Sequence, residues 1–343
     1  MIKIKRADEE KVYNLIAAKE DLYLPVKKAG QVNYGKYENG VEVSLDTLKT
    51  VKSAKDFFFP QSETMMKFRL SGKNIEIDDI RTEKSEFVIF GVKACDYKSF
   101  EILDNVFLSE PVDTYYKSRR EAAVIVTLAC NKPEISCFCK NFGIDPASPK
   151  GDATMWTDEE YMYLTANTEK GEKLLDTLKE VSEAGGEEKV EEIKKNINEV
   201  VNKLPYMNID LSVFKEENLN ELFNLPDWGE LSEACLGCGT CTFVCPTCQC
   251  FDIRDFRTDS GAIRFRCWDS CMYRDFTQMA AANSRNTQMQ RFRQRFMHKL
   301  VYYPSQYGGT YSCVGCGRCV NKCPQHLNIL KVVKKIGGKK IGN

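Results

Sequence analysis

The chain has 343 residues and no net charge, and 43% of its residues are hydrophobic and 29% charged. A chain of this size and composition is globular and long enough for about two domains with cores of their own. It contains no run of 18 apolar residues, and its first ten residues lack the apolar core of a signal peptide, so we expect a cytoplasmic protein without a membrane span.

Sixteen cysteines and only two histidines set the chemistry that the chain can perform. The cysteines occur mainly at metal-ligand spacings in a chain without an export signal, which argues against disulfides and for a reducing, anaerobic compartment. The scarcity of histidine argues against zinc sites built on histidine and against histidine as a general base.

The N-terminal part of the chain has a mixed pattern. An amphipathic helix is predicted over residues 9–18, and short strands are predicted over residues 22–26 and 41–43. Three phenylalanines directly before Pro60 are typical of a buried strand in the core, and residues 61–68 then suit the start of a helix.

A β-α-β unit follows. Residues 86–92 and 122–128 are short apolar runs typical of buried strands, and residues 97–107 between them have helical spacing. The two strands should therefore be parallel, with a right-handed crossover. Because the carboxyl ends of parallel strands share one edge of the sheet, Cys95 and Cys130 should lie together there.

Cys137 and Cys139 follow in the next loop. Together with Cys95 and Cys130 they supply the four thiolates that a 4Fe-4S cluster requires. The alternative is that all four are buried free thiols, which are common in apolar strands. We favour a cluster, because a C-x-C pair in a loop has no packing role.

Residues 151–205 are acidic and have two apolar stripes, separated by Gly185-Gly186, that predict a helical hairpin with a structural role. The segment 205–226 is the expected joint between domains, with a short helix over residues 214–223. We therefore predict an α/β domain with a partly parallel sheet over residues 1–210 and a mainly helical domain with two clusters over residues 211–343.

Two copies of the bacterial ferredoxin spacing C-x2-C-x2-C-x3-C-P organise the second domain. In this pattern the fourth cysteine of each copy binds the cluster held by the other copy. A pair of zinc ribbons is the weaker alternative, since each would need two paired C-x2-C knuckles. The predicted ligands are Cys235, Cys238, Cys241 and Cys323 for the first 4Fe-4S cluster, and Cys245, Cys313, Cys316 and Cys319 for the second.

The interval between the two copies looks mostly helical, especially residues 276–300. Four further cysteines, Cys248, Cys250, Cys267 and Cys271, have no assigned role. They could bind another cluster, form a redox-active thiol pair or line the cluster pocket, and the neighbouring Phe265 and Trp268 favour an apolar lining.

No acidic residue follows Asp275, whereas twelve Lys and Arg do. This cationic segment could form a docking surface, or it could offset the negative charge of thiolate-bound clusters. We find no zinc-finger, helix-turn-helix or RNA-recognition signature and do not expect nucleic acid as a partner.

Seven short motifs in order extend over most of the chain: F-F-P at 58–60, G-V-K-A-C-D at 91–96, C-F-C at 137–139, C-P-T-C-Q-C at 245–250, W-D-S-C at 268–271, H-K at 298–299 and C-V-G-C-G-R-C at 313–319. In this order they resemble the iron-sulfur beta subunits of cytoplasmic sulfhydrogenases and the corresponding iron-sulfur subunit of anaerobic sulfite reductase. Residues 140–143, K-N-F-G, depart from the small residues more frequent there in that family.

The resemblance implies an electron-transfer subunit that works beside a flavin- and NAD(P)-binding subunit and a separate catalytic subunit. The chain itself has no G-x-G-x-x-G after a strand and no Walker loop. We therefore expect a non-catalytic relay of single electrons. Its rivals are a thiol- or cluster-based reductase acting on a sulfur compound and a redox-sensing binding protein.

Overall fold

A computed structural model describes residues 1–79, 85–259 and 261–339. Its strands are β1 (Ile2–Lys5), β2 (Asp21–Lys28), β3 (Gln31–Lys36), β4 (Ser62–Ser71), β5 (Asn74–Asp79), β6 (Phe87–Lys93), β7 (Ala123–Leu128), β8 (Ala153–Thr157), β9 (Tyr161–Ala166), β10 (Glu183–Ala184), β11 (Phe251–Thr258) and β12 (Gly261–Trp268).

The α-helices are α1 (Glu9–Ala17), α2 (Ala94–Phe107), α3 (Thr114–Ala122), α4 (Glu169–Asp176), α5 (Glu187–Asn202), α6 (Leu219–Asn224), α7 (Asp227–Ser232), α8 (Thr240–Phe243), α9 (Gln288–Met297), α10 (Tyr303–Gln306), α11 (Arg318–Lys322) and α12 (Ile329–Gly337). A π-helical segment, His298–Tyr302, joins α9 to α10. Within the described ranges, no helix is both long enough and apolar enough to cross a membrane.

The larger sheet has eight strands in the order β10-β1-β9-β8-β7-β6-β2-β3. Its central strands β2, β6, β7 and β8 are parallel, and the remaining pairs are antiparallel. The predicted β-α-β unit is present as β6, α2 and β7, with α3 as an additional helix in the crossover. The N-terminal region is therefore α/β with a partly parallel sheet, as predicted.

Strand β7 shows how this sheet is covered on both faces. All six of its residues are buried. Val124 and Val126 pack into the core shared with α1 and α4, whereas Ala123 and Ile125 pack into the core on the side of α2. Because successive side chains of a strand point to opposite faces, a fully apolar run is what a strand between two helical layers requires.

The helical hairpin predicted over residues 151–205 is wrong in its arrangement, because strands β8 and β9 come first and helices α4 and α5 lie on opposite faces of the sheet. Leu174 of α4 packs into the core that contains Met155, whereas α5 packs on the other side of the same strands. One stripe of α5, Val190, Ile193, Ile197 and Val201, packs on Trp156 and Tyr163 of the sheet. The short strand β10 lies between the two helices and pairs with β1 at the sheet edge. Both helices thus have the structural role that their apolar stripes predict, but they cover the two faces of the sheet instead of forming a hairpin.

The prediction for residues 56–68 is wrong in its secondary structure. Residues Ala54–Phe57 form a short 3-10 turn and residues 61–68 lead into strand β4 rather than a helix. Phe58 and Phe59 are nevertheless fully buried, as expected, because both pack on aromatic rings of α2 and Phe59 also stacks on Trp268 of β12. The ring centroid of Phe58 lies 4.7 Å from that of Phe100.

The interval between the ferredoxin motifs also differs from its prediction. Residues 251–268 form the hairpin β11–β12, and α9 begins only at Gln288, where Thr287 caps it. The hairpin joins β4 and β5 in an antiparallel sheet of order β11-β12-β4-β5. A mainly helical C-terminal region is therefore not confirmed, and this sheet combines strands from both sides of the predicted boundary at residue 210.

A buried ion pair fastens this sheet to the rest of the molecule. Arg266 of β12 is 1% exposed, and its Nε and Nη2 lie 3.0 and 2.6 Å from Oε2 of Glu63 on β4. Its Nη1 donates to Asp113, the cap of α3. The pair with Glu63 joins β12 to β4 within the sheet, and the bond to Asp113 holds the sheet against the α/β region.

We predict that Arg266→Ala strongly destabilises the fold, because it removes the buried cation that Glu63 and Asp113 share and leaves Glu63 with Arg119 alone. Breaking a buried pair in this way costs about 3–5 kcal/mol. Arg264→Ala on the same strand is the matched control, since Arg264 pairs with Asp255 at the exposed surface. Thermal melts of both variants should show a large loss for Arg266→Ala alone, and equal losses would contradict this role.

Candidate iron-sulfur sites

Cavity 1 lies between α8, α9 and α11 and has an empty volume of about 420 Å³. Cys235 and Cys238 border it from the turn between α7 and α8, Cys241 borders it from α8 itself, and Cys323 borders it from the end of α11. Met272 and Phe292 complete an apolar wall. The structure thus brings together the four cysteines predicted for the first cluster.

Cavity 2 has an empty volume of about 340 Å³ and adjoins cavity 1. Cys313, Cys316 and Cys319 of the second motif border it, and Cys245 reaches it from the first motif. These are the four cysteines predicted for the second cluster. Each ferredoxin motif therefore sends its fourth cysteine to the cavity of the other, as the interlocked arrangement requires.

Cavity 3 has an empty volume of about 430 Å³ and lies at the carboxyl edge of β6 and β7. Cys95 in the first turn of α2 and Cys130 just beyond β7 border it, together with Cys137 and Cys139 of the following loop. Since β6 and β7 are parallel, their ends meet at this edge. The structure therefore places the four cysteines of the predicted third site around one space.

The arrangement in all three cavities differs from that of a mononuclear site. In the described residues, no group of three or more His, Cys, Asp or Glu side chains converges closely enough to hold a single metal ion. A zinc ribbon needs four ligands on one ion. In a 4Fe-4S cluster each cysteine binds a separate iron, so its four sulfurs stand apart around a central space.

Comparisons with known proteins agree with this geometry. A family model described as a 4Fe-4S dicluster domain matches residues 234–327. Sulfhydrogenase 2 subunit beta of Pyrococcus furiosus is 32% identical over 320 residues, which is 92% of each chain. No solved structure matches the chain.

The chain belongs to the sulfhydrogenase beta subunit family. The family resemblance seen in the seven motifs is thereby confirmed. Its C-terminal region is a dicluster domain that binds two 4Fe-4S clusters, and the chain is an iron-sulfur protein of electron transport.

Hydrogen bonds in this sulfhydrogenase-type chain are directed at the cysteine sulfurs, as iron-sulfur sites require. Gln288 Nε2 donates to the sulfur of Cys235 over 3.4 Å, and the backbone N–H of Leu327 donates to that of Cys323 over 3.2 Å. At cavity 2, Thr247 Oγ1 lies 3.2 Å from the Cys245 sulfur. Such donors stabilise negative charge on sulfur and hold the ligands in place.

Two buried cations face the sulfurs of cavities 1 and 2. Arg295 is 3% exposed, and its Nε has no hydrogen-bond partner in the described part of the chain. Burial opposes its charge, yet the nearby Cys241 and Cys319 raise its pKa above the ordinary value. Burial likewise opposes the charge of Lys299, but the nearby Cys245 and Cys248 together have the larger effect and raise its pKa above the ordinary value. An anionic cluster would supply the counter-charge that these side chains lack.

Burial favours the neutral form of several thiols around the cavities. It raises the pKa of Cys241, Cys130 and Cys316 to about 11, and that of Cys139 to about 12. Metal binding at these positions therefore displaces protons, and the buried charge forms only together with the metal. The donor set in all three cavities thus fits an iron-sulfur cluster.

Cavities 2 and 3 are joined through direct contact of their cysteine-bearing loops. Gly315 and Cys316 border both cavities. The Phe138 N–H donates to the Gly315 carbonyl over 2.9 Å. A Cβ on Gly315 would stand 2.5 Å from the carbonyl carbon of Phe138 and 2.6 Å from the Cys139 nitrogen, so only glycine permits this approach.

A buried ion pair braces the same junction. Arg318, beside Cys319, is 4% exposed, and its Nη2 lies 2.7 Å from Oδ2 of Asp96, beside Cys95. Its Nη1 also donates to Asp96, and its Nε donates to the Thr50 carbonyl over 3.3 Å. The A-C-D and C-G-R-C motifs are therefore in contact through their charged residues.

The four unassigned cysteines divide into two kinds. The Cys248 thiol contacts the Cys245 sulfur, and the Cys250 sulfur accepts hydrogen bonds from the thiol and the backbone N–H of Cys271. These bonds lower the pKa of Cys250 to about 7. Cys267 lies apart on β12, opposite Asp252 and Ser62 of the neighbouring strands. A simple apolar lining does not describe the first three.

Sequence reasoning missed the buried charges of this site. Arg295 and Lys299 were recognised only as part of a cationic segment, and the pairing of Asp96 with Arg318 spans 222 residues. Lys55 was not recognised at all, although it is 1% exposed and donates to the Cys248 carbonyl over 2.8 Å. The available signal was that Asp96 and Arg318 directly adjoin cysteines of the motifs.

We predict that Cys130→Ser lowers the iron content by about four atoms per chain, from a total of about twelve. The substitution removes one of the four cysteine ligands at cavity 3 and leaves the dicluster domain intact. Cys267→Ser is the matched control and should keep all of them. Anaerobic iron and sulfide quantitation with EPR of the reduced protein measures this. An unchanged iron content in Cys130→Ser would contradict a third cluster. Fewer than about eight iron atoms per chain in the unaltered protein would contradict the two-cluster assignment.

Proposed function

We propose that this chain relays single electrons through three 4Fe-4S clusters within an anaerobic, cytoplasmic oxidoreductase complex. The clusters would be held by the cysteine sets of cavities 1, 2 and 3. One partner would bind flavin and NAD(P), and the other would be a catalytic redox subunit of sulfite reductase or hydrogenase type. The family membership and the sixteen free thiols support this proposal.

The continuity of the three cavities is the observation that carries the proposal. When bound, 4Fe-4S clusters accept and release single electrons. Arg295 borders cavities 1 and 2, and Gly315 and Cys316 border cavities 2 and 3. The cysteine sets thus follow one another in the order 1, 2, 3, with the dicluster domain at one end and the α/β region at the other.

Exposed apolar side chains mark both ends of this series. Leu236, between two cysteines of cavity 1, is 64% exposed, and the nearby Cys238 is exposed. Ile135, in the loop between Cys130 and Cys137 of cavity 3, is 76% exposed. Large apolar side chains in such positions suit contact with partner proteins, so electrons would enter beside one and leave beside the other.

We predict that the chain, isolated anaerobically by an affinity tag, carries a flavoprotein and a second redox protein with it. Mass spectrometry would identify both, and a siroheme protein or a nickel-iron protein would indicate which reaction the complex serves. Leu236→Asp and Ile135→Asp should each lose one of the two partners, because a buried charge opposes docking. A chain that is isolated without any redox partner would contradict the relay.

We further predict that Gly315→Ala disrupts the junction of cavities 2 and 3, because its Cβ would collide with the backbone of the Phe138–Cys139 loop. The expected result is loss of the EPR interaction between the clusters of these cavities, with or without loss of iron at cavity 3. Gly308→Ala is a matched control, since Gly308 has nearly the same left-handed φ, +58° against +59°, and open space around it. Equal behaviour of the two variants would contradict the proposal that electrons pass between cavities 2 and 3 at the Gly315 contact.

A further inference from the structure

The β11–β12 hairpin holds Cys250 and Cys271 beside each other at its base. Phe251 pairs with Trp268, and the Asp269 N–H donates to the Cys250 carbonyl over 2.9 Å. The chain then turns at Ser270, whose buried hydroxyl lies 2.8 Å from Thr242 Oγ1 and accepts from the Met272 N–H over 3.1 Å. The whole hairpin separates the two cysteines in sequence, and its pairing together with this turn brings them into contact.

The contact is one of sulfur with sulfur. The side chain and the backbone N–H of Cys271 both interact with the Cys250 sulfur. All sixteen cysteines are free thiols in the structure. Two neighbouring free thiols can form a disulfide, in which the sulfurs are about 2.05 Å apart.

Cys248 connects this pair to cavity 2. Its backbone N–H donates to the Cys245 carbonyl over 3.4 Å, its thiol contacts the Cys245 sulfur, and Cys250 and Cys271 are close enough to act on its charge. The Cys250–Cys271 pair is therefore close to a cysteine of cavity 2.

Buried ammonium groups surround the same cysteines. Lys299 Nζ donates to Thr247 Oγ1 over 2.8 Å and to the Ser312 carbonyl over 3.0 Å. Lys55 Nζ donates to the Cys248 carbonyl and lies 3.6 Å from the ring centre of Trp268. Positive charge at this place favours thiolate, which is the form that reacts in thiol–disulfide chemistry.

We propose that Cys250 and Cys271 form a reversible two-electron dithiol–disulfide site that exchanges electrons with the cluster held by Cys245. On oxidation one S–S bond forms between the two sulfurs, two S–H bonds break, two protons pass to solvent and two electrons leave singly to the oxidised clusters of this chain. Reduction reverses each of these steps. This proposal rests on the proposed relay. The thiol pair would hold two electrons that the clusters deliver one at a time.

The half-buried position of the pair fits this role. Both cysteines are partly exposed, so protons can reach solvent, whereas the ligand Cys316 is buried. Cys267 differs from them, although it lies on the same hairpin. It pairs across the strands with Asp252, and the charged groups near its thiol are Arg254, Asp252 and Asp269.

The test is an electron count on the anaerobic, cluster-loaded chain. The chain is first oxidised with a mild dye, freed of the dye and then titrated with a one-electron reductant. Unaltered protein should take up two more electrons per chain than Cys250→Ser or Cys271→Ser, and Cys267→Ser should match unaltered protein. The number of clusters is measured separately by iron content and EPR, so failure of the relay and failure of the thiol site are distinguishable.

A second measurement needs no variant. Oxidised and reduced samples are quenched in acid with N-ethylmaleimide, and their peptides are mapped by mass spectrometry. A disulfide between the Cys250 and Cys271 peptides should be present only in the oxidised sample. Equal electron counts in all four proteins, a disulfide that involves Cys248 or Cys267 instead, or two alkylated cysteines in the oxidised sample would each overturn the proposal.

Discussion

Negative charge on sulfur, buried in the interior, is the constraint on which the rest of this structure depends. A buried cation without a carboxylate partner is costly, and the effective penalty amounts to several kcal/mol per ion. Arg295 and Lys299 accept that penalty at cavities 1 and 2, since each is almost completely buried and faces cysteine sulfurs. Their presence is explained by the clusters of the dicluster domain, whose charge they offset. The same two cations would raise the reduction potentials there, because they favour the more negative, reduced state.

The junction between cavities 2 and 3 uses charge differently. There the buried cation, Arg318, has a carboxylate partner in Asp96, so the pair adds little net charge. Its contribution is positional, since it ties the start of α2 to the start of α11 and thereby fixes Cys95 relative to Cys319. Gly315 makes the accompanying backbone contact possible. Buried cations thus offset charge at cavities 1 and 2, whereas the ion pair between cavities 2 and 3 holds the cysteine-bearing segments in position.

Structure that follows from local sequence patterns could be predicted, whereas contacts between distant parts of the chain could not. The ferredoxin spacing predicted which four cysteines surround cavity 1 and which four surround cavity 2. The apolar runs predicted the parallel strands β6 and β7, and through their shared edge they predicted the cysteines of cavity 3. Strands β4 and β12 were missed although each belongs to a local hairpin, β4–β5 and β11–β12. Nothing in either segment indicates that these two hairpins pair with each other from distant parts of the sequence. The division into domains at residue 210 remains a prediction. The Asp96–Arg318 pair illustrates the same limit: each residue adjoins a recognisable motif, but only the fold brings them together.

The exchange of fourth cysteines makes cavities 1 and 2 parts of a single unit. Cys323 closes cavity 1 from the C-terminal motif, and Cys245 closes cavity 2 from the first motif. Neither motif can therefore complete a four-cysteine site without the other. Helix α12 packs its apolar face into the core that both motifs share, so the C-terminal segment stabilises the first motif as well as the second. Cavity 3 depends on this unit through Gly315 and Cys316. The three cysteine sites are thus structurally coupled, because the wall of cavity 3 includes residues of the interlocked pair.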